Sequence, residues 1–184
     1  FKQKTAYEIR LSLVGSEMCI RDRITVPLYC LAEGLVLGGI SAYANALYPG
    51  IANQAIALTF GILAALLFLY KSRLIAATEN FKLGVFSATF GILIIYVLNL
   101  ILYLFGISFM GPLFGNGLTG ILFSLFVIGI ASLNLVLDFD FIENGADQGA
   151  PKYMEWYAAF GLMITLIWLY IEILNLLMKL RSRR

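Results

Sequence analysis

The sequence predicts an all-α fold, a polytopic transmembrane helix bundle. Three observations predict it. The 184 residues are 61% hydrophobic and only 13% charged, against about 45–50% and about 25% in an ordinary soluble domain. Five apolar blocks, at about 27–48, 51–71, 82–105, 117–142 and 153–179, each reach the roughly 20 residues a helix needs to cross about 30 Å of hydrocarbon. All four prolines fall at or between these blocks, where proline costs a helix least.

In chain order, residues 1–23 differ in kind from the rest. They are polar, rich in Arg and Lys and without a sustained apolar run. They lack the hydrophobic core and small-residue cleavage site of a signal peptide. The run LSLVGSEMCIRDR resembles a linker-derived translation that recurs at the ends of unrelated sequences. Residues 1–23 are therefore set apart as an artefactual or disordered leader, and residues 24–184 as the bundle.

Pro27 is expected to open the first block, which carries Gly34 and Gly38 as a GxxxG pattern. Such small residues let helices approach closely. Pro49 separates the first and second blocks, Pro112 precedes the fourth and Pro151 the fifth. Tyr48, Tyr70, Tyr153, Trp156 and Tyr157 lie near block ends, as an interfacial aromatic belt does. Short loops imply antiparallel neighbours. Lys71, Arg73, Lys82 and Lys152 flank one side, and Lys179, Arg181, Arg183 and Arg184 the other. With basic residues so evenly divided, the positive-inside rule assigns no orientation.

Composition also excludes functions. The net charge is only +2, which argues against a nucleic-acid partner. There is no histidine, so the commonest metal ligand and neutral-pH switch are missing. The two cysteines, Cys19 and Cys30, cannot make a zinc site, and a disulfide between them is not expected. No GxSxG, Walker A, HExxH or CxxC pattern occurs. The GxGD and YD pair of intramembrane aspartate proteases is also missing, so the chain is not expected to be an enzyme.

What remains is a set of carboxylates inside apolar helices. A charged side chain at a bilayer centre costs roughly 2.5–3.5 kcal/mol on insertion scales, so such residues mark function. Glu33 lies in PLYCLAEGLVLGG, Asp138 and Asp140 in LVLDFDFIENG, and Glu172 in WLYIEILNLL. Asn134 and Asp138, four apart, share a helix face. Asp140 points about 200° from Asp138. Each has a plain structural reading: the fourth helix ends near Leu137, Glu172 snorkels to water, Glu33 makes an interhelical hydrogen bond, and Glu155 is interfacial. The functional reading is that two carboxylates meeting in a low-dielectric bundle cannot both ionise cheaply and share a proton at some pH. Calcium, which takes oxygen ligands, could replace that proton.

The segment LNLVLDFDFIENGADQGAPKYMEWYAAFGLMITLIWLYIEILNLL resembles the last two helices of the Bax inhibitor-1/YccA superfamily, in its prokaryotic branch. PLYCLAEGLVLGGISA and YPGIANQAIALTFG resemble it too. The resemblance implies about seven helices, of which five are present and two are expected ahead of Ile24. It implies a pH-sensitive calcium leak, protection from stress-induced death, or modulation of a membrane protease. The family pattern D-x-Q/N-x-I falls on DFDFI, placing Asp138 on the first aspartate and Asp140 on the amide. The pattern LYLDIINLF falls on LYIEILNLL, placing Glu172 on the second aspartate. Glu for Asp, an acid for the amide and a longer connection are departures.

The leading expectation is an integral protein of the bacterial cytoplasmic membrane that leaks calcium or another cation. Asp138 and Glu172 form its latch and calcium ligands, while Asp140 and Glu33 line or stabilise the path. No bound cofactor is expected. The alternative is a non-transporting regulator that binds a membrane protease or another membrane protein. One difficulty is geometric: with the last helix starting near Lys152, Glu172 lies about 30 Å along it, so Glu155 is kept as an alternative partner for Asp138.

Overall fold

The computed structural model describes residues 6–75, 77–106, 111 and 115–183. Five long helices make up these residues: α1 (Ala6–Leu47), α2 (Ile51–Lys71), α3 (Glu79–Leu104), α4 (Leu118–Asp147) and α5 (Tyr153–Ser182). Among the described residues there is no strand. All five helices contain a stretch long and apolar enough to cross a membrane, that of α1 being Thr25–Leu47.

Local chemistry sets the helix ends. Gly50 takes a left-handed conformation (φ 83°) between α1 and α2, which glycine adopts without a Cβ penalty. Its N–H donates to Asn45 Oδ1 at 2.7 Å. Thr78 caps α3, its hydroxyl accepting from the Phe81 N–H at 3.3 Å. Glu79 sits in the first turn of that helix, where a negative charge favours the macrodipole.

Two boundaries differ from the sequence expectation. Pro27 lies inside α1 rather than opening it. α4 runs on to Asp147, because DFDFIEN contains no breaker and the Asn144 amide donates back to the Asp140 carbonyl at 2.8 Å. The chain leaves the helix just before Gly149, at φ 62°, and Pro151. Asp138 and Asp140 are thus both helical, and the early end near Leu137 does not occur.

The core lies between α1, α2, α4 and α5. Ala44, Ala55 and Ala131 are fully buried against Leu135, Leu169 and Leu174. The close approach of helices therefore rests on alanines. α4 and α5 form the most extensive helix pair, and among the described residues α3 packs mainly on α4.

Gly34 and Gly38 are exposed, with nothing within 4 Å of a Cβ built on either. Among the described residues, no neighbouring helix comes close enough to require a glycine at either position. Gly34→Ala and Gly38→Ala should each leave stability unchanged or raise it by up to ~1 kcal/mol through helix propensity. Denaturant unfolding in micelles checks this; a loss of stability would place those glycines in a contact.

Candidate functional site

The bundle holds two buried polar sites at different depths. The first is centred on Glu172, which is 5% exposed. The Tyr96 hydroxyl of α3 donates to its Oε1 at 2.5 Å. Trp168, one turn earlier on α5, lies beside the same carboxylate. Lys179, two turns later, attracts Glu172 electrostatically. Its ammonium donates to Ser124 Oγ at 2.9 Å and to the Gly120 carbonyl at 3.2 Å, both on α4. Tyr96, Ser124, Trp168, Glu172 and Lys179, with Phe123 and Asn175, line a cavity of about 460 Å³.

The second site is Asp138. It faces α5 across Gly161, where an added Cβ would lie 3.9 Å from Asp138 Oδ1. The Thr165 side chain also faces the carboxyl, while its hydroxyl donates to the Gly161 carbonyl at 3.2 Å. Asp138 Oδ2 is buried and has no hydrogen-bond partner among the described residues. The two carboxylates are thus placed in opposite ways. Glu172 accepts a hydrogen bond from Tyr96 of a neighbouring helix, whereas Asp138 keeps an unsatisfied oxygen.

The structure does not bring Asp138 and Glu172 together. The residues of α5 that face Asp138, Gly161 and Thr165, precede Glu172 by 11 and 7 positions, about 16 and 10 Å along the helix. The antiparallel register of α4 and α5 causes this. Ser124 pairs with Lys179 near one end and Asp138 with Gly161 further along, so Glu172 falls between these levels. Glu155 is exposed and lines a cavity of about 490 Å³ at the α4–α5 turn with Gly145 and Pro151.

The other candidates diverge. Asn134 faces α3, its amide donating to Thr89 Oγ1 at 2.7 Å and to the Ile130 carbonyl at 2.9 Å. Asp140 pairs with Lys82 of α3 at 2.8 Å, and Lys82 also reaches Glu79 at 3.2 Å. The Tyr70 hydroxyl of α2 donates to Glu143. Glu33 is half-buried and hydrogen-bonds Tyr29 on its own helix. Nearby, the Cys30 thiol donates to Met163 Sδ at 3.2 Å. α1 makes no helix contact with α4 among the described residues, so Glu33 does not join Asp138. Among those residues no group of three or more Cys, Asp and Glu converges to hold a metal ion.

The Lys82–Asp140 pair remains partly open to the surface, with side chains 34% and 19% exposed. Asp140→Asn should therefore cost only about 1 kcal/mol or less, measured by unfolding in micelles. A much larger loss would make this pair a main fastener of α3 on α4.

Comparison with protein families finds a match to the family described as Bax inhibitor 1 like over residues 9–182. The chain belongs to the Bax inhibitor-1-like family. Comparison with curated proteins and with solved structures finds no match. Family membership and the five apolar helices together make the chain an integral membrane protein. As a Bax inhibitor-1-like protein it carries Asp138, Asp140 and Glu172 on α4 and α5, the helix pair with the largest contact.

Tyr96, Lys179, Ser124 and Thr89 are among the residues of these sites that the sequence does not single out. Two have a readable signal. Tyr96 is a hydroxyl in the middle of the apolar run GILIIYVLNL, and Lys179 is seven residues after Glu172, which places it on the same face two turns on.

Proposed function

We propose that this Bax inhibitor-1-like protein is a non-enzymatic, proton-sensitive cation leak of the bacterial cytoplasmic membrane, with Asp138 as its proton- or cation-binding group. The observation that carries this reading is the buried, unpartnered Oδ2 of Asp138. A desolvated carboxylate oxygen without a donor is costly. A proton or a hard cation is what satisfies it. Glu172 already accepts a hydrogen bond from Tyr96, so the two carboxylates act at separate levels and not as one latch. The family resemblance supplies calcium as the transported ion, which enters as substrate and not as a resident cofactor.

The test is calcium uptake by liposomes containing the full chain, recorded across a pH series. Uptake above that of empty liposomes, with a rate that changes with pH, supports the leak. Folded protein giving no uptake at any pH overturns it.

A second reading, a membrane regulator that binds a protease or other membrane protein, has one observation in its favour. The Gly34/Gly38 face of α1 is open, and small residues there allow close helix contact. Crosslinking from that face in native membranes, together with absent flux, would favour it.

A further inference from the structure

The surroundings of Lys179 are those of a cation site. Its ammonium donates to two oxygens, the Gly120 carbonyl at 3.2 Å and the Ser124 hydroxyl at 2.9 Å, and is attracted by the Glu172 carboxylate on the same cavity. Carbonyl, hydroxyl and carboxylate oxygens are the donors a hard divalent ion takes. Asn175 lines the same cavity of about 460 Å³ and has an amide oxygen to add. The ammonium does not close a direct ion pair with Glu172; among the described residues the ion pairs are those of Lys82. It sits on the α4 oxygens instead, reaching back along α5 towards Glu172. Among the described residues Glu172 is the one carboxylate lining the cavity, and Lys179 the one cation.

We propose that Lys179 is a tethered cation occupying an oxygen-lined divalent-ion site beside Glu172, and that it excludes divalent ions from that site. This goes beyond the leak, which rests on Asp138 about 10–16 Å away along α5. A divalent ion and an ammonium cannot share the cavity cheaply, because like charges a few ångströms apart repel strongly where water is scarce. Removing the ammonium would free Ser124 Oγ and the Gly120 carbonyl as ligands and leave Glu172 without its countercharge. Lys179 is therefore a selectivity residue, setting what the Glu172 cavity admits.

Trp168 provides the readout, since it lines the cavity with Glu172 and the chain has only one other tryptophan, Trp156. In a Trp156→Phe background, Trp168 emission is titrated with Mn²⁺, a paramagnetic quencher, on full-length protein in micelles. Lys179→Met should show saturable quenching with a midpoint about tenfold or more below that of the unsubstituted background. Lys179→Arg, which keeps the charge, should match the background, and Glu172→Gln with Lys179→Met should lose the saturable phase. If Lys179→Met does not fold, Lys179→Gln takes its place. Equal midpoints with and without the Lys179 charge overturn the proposal, as does quenching that survives removal of Glu172. The readout needs no transport, so absent flux would count against the leak and leave this result standing.

Discussion

Asp138→Leu is expected to make the protein more stable, by about 1–3 kcal/mol. The reason is the contrast between the two buried carboxylates. Asp138 Oδ2 is removed from solvent and receives no hydrogen bond among the described residues. Leucine has similar length and no polar atom to desolvate. The neighbouring Thr165 keeps its own bond to the Gly161 carbonyl, so the substitution orphans no donor on α5. Thermal or denaturant unfolding in micelles measures the change. A loss of stability would mean that Asp138 contributes more to α4–α5 packing than its hydrogen bonding indicates. A gain would identify a group retained at a cost to the fold, as functional sites commonly are.

Glu172→Leu is expected to do the opposite, costing about 2–3 kcal/mol. It removes the acceptor of Tyr96 and the countercharge of Lys179. The Tyr96 hydroxyl then faces an apolar side chain and the Lys179 ammonium loses its neighbouring negative charge. Glu172→Gln keeps an acceptor for Tyr96 and should cost less. The pairwise term is isolated by Glu172→Leu combined with Lys179→Met, which should be less destabilising than the sum of the two single changes. Strict additivity would show that Lys179 and Glu172 do not sense each other across the cavity.

The fold is largely legible in the sequence because lipid imposes simple demands. Five apolar blocks of spanning length require five helices, since only a helix or a closed barrel satisfies the backbone in hydrocarbon. The carboxylates inside them stand out for the same reason. What the sequence does not reveal is who faces whom. Asp138 and Asp140 diverge by about 200°, which is local and readable, and they face α5 and α3 respectively. Asn134 shares a face with Asp138 in the helical repeat, yet it turns to Thr89 on α3. The flank taken depends on how three helices meet, and no local pattern encodes that. Pairing Asp138 with Glu172 requires the axial register of α4 against α5. That register follows from long-range contacts such as Ser124–Lys179 and Phe139 in the shared core. In the sequence Lys179 is one of several basic residues flanking a span. Its position two turns from Glu172 only gains meaning once Gly120 and Ser124 are placed opposite it.

Under the proposed function, Asp138 is the group through which protons or cations act. The decisive comparison is calcium uptake by liposomes across pH, for the unsubstituted chain and for Asp138→Asn. Uptake by the unsubstituted protein should proceed at a rate that varies with pH. In Asp138→Asn the rate should no longer vary with pH while the variant remains folded. A pH profile unchanged in Asp138→Asn would remove Asp138 from that role.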